Sequence, residues 1–333
     1  MPSGRLRATF ASAVVSAVVV GVAAVPAHAQ SQSRQDAVAQ FTEQRPASST
    51  GVHIGIVYRN PNDPNAKPFA VQKIVTTLAA GTVIDTSVPA QCTLSDAELM
   101  ANGAGGCPGG SIVGSGKVSL ASKSADPDVY TDVTLINNAN ELIFLVETDT
   151  TPRTRMLIRS PISGNTITNE VPPLPGGPPD GVTAIRTVDL SIGAVSRRDG
   201  RQVRNYITTP PACPASGRLE GSVAFTYFDG IAQTVPSFSA CVDTAPPAIK
   251  LTGISRSCLR RGVKARVRVT DTSSLRGVAV RLNGRKVKGT RQKRFGFKIR
   301  QSRLRKGRNR VTVTAVDLRG NRSVLTRRFR RCG

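Results

Sequence analysis

Aromatic and imidazole side chains are scarce in this chain of 333 residues, which has no Trp, 4 Tyr, 3 Met and 2 His. His28 lies in an N-terminal apolar segment that reads as a removed leader, so His53 is the one imidazole left and chemistry built on histidine clusters is excluded. The missing Trp weakens carbohydrate recognition, which uses aromatic faces as platforms. Negative charge is also thin: 21 Asp+Glu stand against 46 Lys+Arg, a formal net charge of +25. No Gly-x-Ser-x-Gly and no Cys-x-x-Cys occurs. Gly114-Ser115-Gly116-Lys117-Val118 fails as a phosphate loop, because Ser111 stands where the first Gly is needed and Val118 where the metal-binding hydroxyl should be. It reads instead as a Gly-rich strand connection.

What is present begins with an export pattern. Arg5 and Arg7 precede an uncharged Ala/Val-rich run, Ala8 to Val25, followed by Pro26 and Ala27-His28-Ala29. A charged start, an apolar middle and a small-x-small ending predict a signal peptide over 1–29, cleaved before Gln30. A retained anchor is the alternative, since the run approaches the ~18 residues that span a bilayer. Six cysteines follow, and an even number in an exported chain reads as three disulfides. They fall into sequential pairs, which predicts Cys92 with Cys107, Cys213 with Cys241, and Cys258 with Cys332. Metal ligation lacks the required spacing and any nearby His.

Residues 30–50 are polar and Gln/Ser-rich, which predicts a flexible leader. Asp243-Thr244-Ala245-Pro246-Pro247 reads as a stiff linker over 243–247. Between these, 51–242 reads as short strands at 52–58, 74–78, 111–120, 129–136, 141–146, 155–158, 184–192 and 223–228, separated by Gly, Pro and Asn turns. Ser95 and Glu98 form a capping-box signature for one short helical turn. After the linker, 248–333 shows strict alternation. In Val263-Lys264-Ala265-Arg266-Val267-Arg268-Val269-Thr270 the apolar residues share one face and the polar ones the other. Asn283-Gly284 is a hairpin signal. The fold class expected is all-β: a larger sandwich or jelly-roll-like domain over 51–242, then a small immunoglobulin-like sandwich over 248–333.

Two resemblances bear on this. Asp271-Thr272-Ser273-Ser274-Leu275, Leu282-Asn283-Gly284-Arg285 and Ala315-Val316-Asp317-Leu318-Arg319-Gly320-Asn321 resemble bacterial immunoglobulin-like modules, which often end a late strand in Ala-x-Asp-x-x-Gly-Asn. Pro89-Ala90-Gln91-Cys92 and the run Cys107-Pro108 to Gly116 resemble exported actinobacterial β-sandwich proteins of unknown function, with Cys92 displaced by one residue from that pattern. Neither resemblance implies a catalytic residue or a cofactor.

Charge divides unevenly. Residues 248–333 hold 28 Lys+Arg and 2 Asp+Glu, a net +26, leaving 18 and 19 for residues 1–247, a net of −1. Alternation directs Lys264, Arg266 and Arg268 to one side of their strand and Arg294, Lys298 and Arg300 to one side of theirs. Placed on adjacent strands, these six form a basic lattice suited to a polyanion. The expected function is therefore that of a secreted or cell-surface, non-catalytic binding or structural protein, whose candidate partners are anionic envelope polymers. A solvated face that only keeps the protein soluble is the plainer alternative. Phe295, Phe297 and Phe329 read as core, which leaves no base-stacking surface and no specific nucleic-acid recognition. The runner-up is an envelope glycan-acting enzyme using two of Asp126, Asp128, Asp132, Glu141, Glu147 and Asp149. Asp126 and Asp128 also suggest a calcium ligand pair, without the full oxygen shell in view. His53, on an apolar strand, reads as a structural or edge residue. The segment Val171 to Pro179 reads as a rigid connection or an exposed recognition loop.

Overall fold

The structure is a computed structural model that describes residues 33–332 apart from 125, 256, 257 and 260, with only the backbone described at 258. The expected signal peptide lies outside the described residues. Ser33 onward forms one compact unit, and no helix among the described residues is long and apolar enough to cross a membrane.

The chain is almost entirely β, as its patterning predicts. Among the described residues, fifteen strands precede the linker: β1 (Gln35–Phe41), β2 (Val52–Tyr58), β3 (Val71–Thr77), β4 (Val83–Ile84), β5 (Ile112–Ala121), β6 (Val129–Asn138), β7 (Glu141–Thr148), β8 (Arg155–Ser163), β9 (Thr166–Glu170), β10 (Ala184–Ile192), β11 (Ser196–Asp199), β12 (Gln202–Asn205), β13 (Ile207–Thr208), β14 (Arg218–Tyr227) and β15 (Ala232–Ala240). Eleven of them form one antiparallel sheet in the order β1-β2-β10-β5-β6-β7-β8-β9-β3-β14-β15. The sheet folds over until its two end strands meet. There β15 turns serine hydroxyls inward to β1: Ala39 N–H donates to Ser237 Oγ at 2.7 Å, Phe41 N–H donates to Ser239 Oγ at 2.9 Å, and Ser237 Oγ–H returns to the Ala39 carbonyl at 2.8 Å. Edge-strand backbone groups that would otherwise be buried without partners are satisfied by side chains.

Within the leader expected over 30–50, the described residues 33–50 are therefore no flexible segment. Gln35, Ala37, Ala39 and Phe41 alternate inward and are buried, and β1 pairs with β2 over its whole length. Arg34 fixes the start of the strand by an ion pair to Asp229 at 2.8 Å, with its guanidinium 3.9 Å from the Phe69 ring centroid. Small alanines and a glutamine occupy the inward positions, so the apolar signal is weak although the period is two.

The capping box forms as expected: Ser95 Oγ accepts from the Glu98 N–H and the Glu98 carboxylate accepts from the Ser95 N–H, starting α1 (Asp96–Asn102). This helix and the Cys92–Cys107 disulfide cover the outer face of β6 and β7, where Leu99 packs with Ile136, Ile143 and Leu145. Both faces of β7 are thus buried, which explains its unbroken Leu142-Ile143-Phe144-Leu145-Val146 run. The second expected disulfide, Cys213–Cys241, is also present. Cys332 is disulfide-bonded, but the pairing expected with Cys258 falls on a side chain outside the described residues.

The Gly-rich run at 114–117 lies inside β5 rather than in a connection. A Cβ at Gly116 would stand 2.0 Å from the Asp189 carbonyl oxygen, so glycine permits the close approach of β10. The Pro-rich segment is a tied connection. Gly176 N–H donates to Gly181 O, Thr183 N–H donates to Leu174 O, and the wholly buried Lys67 ammonium holds Asp180 at 2.7 Å.

Beyond residue 247 come β16 (Ala248–Thr252), β17 (Cys258–Leu259), β18 (Val263–Thr270), β19 (Leu275–Leu282), β20 (Arg285–Thr290), β21 (Arg294–Ile299), β22 (Gly307–Asp317) and β23 (Arg322–Arg331). They form a three-stranded sheet, β16-β18-β21, and a five-stranded sheet, β17-β23-β22-β19-β20, the immunoglobulin-like arrangement expected. Asn283 (φ 48°) and Gly284 (φ 89°) make the two-residue turn between β19 and β20, a conformation for which Asn-Gly is suited. The two sheets enclose their own core of Val267, Val280, Phe297, Val311, Val313 and neighbours, in which each fully buried large apolar side chain contributes about 1.5 to 3 kcal/mol.

Candidate polyanion-binding face

The pairing of β18 with β21 puts five of the six expected basic residues, Lys264, Arg266, Arg268, Arg294 and Lys298, on one surface. Lys264 lies opposite Lys298 and Arg268 opposite Arg294, while Arg266 faces Gly296. On the other side of β18, β16 adds Lys250 opposite Arg268 and Thr252 opposite Arg266. One row therefore reads Lys250, Arg268, Arg294, with strands about 4.8 Å apart. Along β18 the next basic residue on the same face is about 6.7 Å away, whereas on β21 Gly296 separates Arg294 from Lys298. Arg300 extends the β21 column past its last strand residue, Ile299. All seven are exposed, and none forms an ion pair with a described residue. Gly296 carries no side chain and leaves a shallow trough in the middle of the lattice, bordered by Lys264, Arg266, Lys288 and Lys298. The Lys288 ammonium donates to the Gly296 carbonyl at 3.0 Å.

Beneath this face Phe295, Phe297 and Ile299 point into the core with Ala265, Val267 and Val269. Phe329 is buried as well. The apolar half of the alternation thus holds the sheet down, and the polar half is left as a nearly pure array of cations. Lys250 was not foreseen among them, because β16 is too short to show a period by itself.

The other candidate chemistry is dispersed. Four of the acids considered for glycan cleavage sit beside bases: Asp128 with Arg186 at 2.9 Å, Asp132 with Lys117 at 2.8 Å, Glu141 with Arg159 at 2.6 Å and Glu147 with Arg155 at 2.7 Å. The hydrogen bond and charge of Lys117 hold the Asp132 carboxyl below its usual range, the opposite of what a proton donor to a glycosidic oxygen requires. Asp126 and Asp149 are exposed. Three of the four tyrosines, Tyr58, Tyr206 and Tyr227, are core residues rather than sugar platforms. Burial pushes the Tyr58 hydroxyl well above its ordinary pKa.

His53 is not at an edge, since β2 lies between β1 and β10. Its ring approaches Asp189 at 3.6 Å and Ser191 at 3.5 Å, both through Nδ1. A relay needs the acid and the hydroxyl on opposite ring nitrogens, so this trio is a surface cluster.

No protein-family model matches the chain, and no curated protein matches it. Among solved structures, similarity is found to the fibronectin(III)-like modules of CbhA from Clostridium thermocellum, at 10% identity over 89% of this chain and 94% of that one, with a TM-score of 0.24. The extracellular cadherin domains 1–4 of protocadherin gamma B7 are similar at 10% identity over 89% of this chain and 76% of theirs, with a TM-score of 0.21. A calcium-stabilized, ice-binding adhesin of an Antarctic bacterium gives 10% identity over 87% and 97%, with a TM-score of 0.19. At such scores the fold assignment rests on strand order and pairing in this chain.

Proposed function

We propose that the protein is exported and acts without catalysis, by binding or structural attachment, and that its basic face holds it on anionic polymers of the cell envelope. The observation that carries this reading is the Lys250-Arg268-Arg294 row with its flanking Lys264, Arg266, Lys298 and Arg300. Like charges opposed across strands each cost about 0.2 to 1 kcal/mol. A chain that keeps several such pairs on one face, with no carboxylates among them, gains when a polyanion neutralises them. Two disulfides support an oxidising compartment.

The reading is tested by retention of the intact protein on isolated anionic wall polymer. Neutralising six to ten phosphates by simple charge pairing lowers affinity by roughly 10³ to 10⁵ between 50 and 200 mM salt on duplex DNA, and a loss of about that size is expected here. Failure to bind at low salt defeats the proposal. Turnover of wall glycans by the same preparation would favour an enzyme instead.

A further inference from the structure

The inward face of the eleven-stranded sheet does not fill its own interior. One row of paired residues runs across six strands as Ile54, Leu190, Gly116, Val133, Val146 and Met156. Gly116 supplies no side chain at the middle of that row. A cavity of about 90 Å³ remains, bounded by the other five and by Val118. Val118, Met156, Ile158, Val171 and Ile185 point into this core yet stay only half-buried. No charged side chain lines the space among the described residues.

The cavity has a mouth because two neighbouring strands part. β8 and β9 pair only at Ile162 with Ile167 and at Ser163 with Thr166, next to their turn. From Arg155 to Pro161, β8 is paired to β7 alone. Met156 and Ile158 line the cavity from one side of the gap, and Asn169, Val171, Pro172 and Leu174 from the other. This rim is held in place: Val171 N–H donates to the Gln72 carbonyl at 2.8 Å and Thr183 N–H to the Leu174 carbonyl at 2.7 Å. The opening is therefore preformed, as small-molecule sites usually are.

Two polar groups face this apolar space. Thr76 is 3% exposed and lines the cavity, and its hydroxyl has no hydrogen-bond partner among the described residues. Asn169 Oδ1 accepts from the Ser160 hydroxyl, which leaves its Nδ2 donors without a partner among the described residues. Ile74 pairs with Asn169 and Thr76 with Ile167, so Thr76 and Asn169 are diagonal neighbours on one face, within mutual reach of a single bound atom. A buried donor without an acceptor is costly.

We propose that the larger domain binds a slender aliphatic molecule carrying one neutral oxygen, a hydroxyl or a carbonyl. The oxygen accepts from the Thr76 hydroxyl and the Asn169 amide just inside the mouth, and the hydrocarbon runs inward along Val118, Val133 and Leu190. A cavity of about 150 Å³ takes one benzene ring, so the smaller space here suits an unbranched chain rather than a ring. A carboxylate is disfavoured, because an ionised group buried without a cation carries a large penalty. This site is separate from the basic face and would give the larger domain a ligand of its own.

The test uses methionine methyl resonances of the full chain, titrated with n-hexanol and, in parallel, with hexanoate. Met156 lines the cavity, while Met100 lies on α1 and is exposed. With n-hexanol the Met156 resonance should move and saturate while Met100 stays in place; hexanoate should move neither. The variant Thr76→Val removes the hydroxyl at nearly constant shape. It should weaken n-hexanol binding by about 2- to 13-fold, the equivalent of one neutral hydrogen bond, without lowering the melting temperature, whereas mere damage to the core would lower both. The proposal is overturned if Met156 does not respond up to the solubility limit of n-hexanol, or if both methionines drift together without saturation. It is equally overturned if hexanoate binds as well as n-hexanol, or if folded Thr76→Val binds n-hexanol unchanged. The wild-type comparison of the two probes decides the matter even if the variant does not fold.

Discussion

Neutralising Arg268 should make the free protein more stable and the bound protein weaker. Its backbone lies opposite Lys250 on one side and Arg294 on the other, so Arg268→Gln removes two like-charge cross-strand pairs together. At about 0.2 to 1 kcal/mol per pair, the expected gain is about 0.4 to 2 kcal/mol. The gain is electrostatic and must depend on salt. At about 0.01 M the screening length is roughly 30 Å and the full array is felt, whereas at 1 M it is roughly 3 Å, shorter than the strand spacing, and the gain should nearly vanish. The assay is urea unfolding of wild type and variant at both salt concentrations, reading the midpoint at unchanged slope. Retention on anionic polymer is measured on the same samples and should fall. The reasoning fails if Arg268→Gln is less stable than wild type at low salt, or if its gain persists unaltered at 1 M. A variant that gains stability but binds polymer as before would mean that the face repels itself and serves only solubility.

Three further outcomes follow from the fold. Replacing both Cys213 and Cys241 with Ser opens a loop of 28 residues and should lower unfolding free energy by about 3 to 4 kcal/mol, measured by urea titration. Lys67→Met leaves Asp180 buried without its cation beneath the Pro-rich segment, which should cost about 3 to 5 kcal/mol and expose residues 171–183 to limited proteolysis. Ser237→Ala removes both hydrogen bonds to the Ala39 backbone at the β1–β15 seam, and a loss of about 1 to 3 kcal/mol is expected, with faster amide exchange in β1 as the local readout.

Strict period-two alternation was readable wherever the inward residues are large and branched. It placed β18 at Val263–Thr270, β10 at Ala184–Ile192 and β2 at Val52–Tyr58 with their observed ends. It failed where small or polar side chains face inward. Gln35, Ala37 and Ala39 in β1, and Ser237 and Ser239 in β15, are buried without being strongly apolar, because their task is to close the sheet through hydrogen bonds. The basic lattice was legible for the same reason as β18: alternation sends every second residue outward, and pairing needs only one strand-order assumption. Lys250 escaped because its strand has five residues. The apolar cavity could not be read, since Val118, Met156 and Leu190 look like any inward strand residue and Thr76 meets Asn169 only through the pairing of β3 with β9.

The most direct measurement of the central claim is the slope of log affinity against log salt for intact protein on anionic polymer, in wild type and in a triple variant with Lys264, Arg266 and Arg268 each changed to Gln. On nucleic acids each lost phosphate contact reduces the slope by about 0.7 to 0.9. Attachment through this face predicts a slope shallower by about 2 to 3 and weaker binding at every salt concentration. Equal slopes in the two proteins would contradict it.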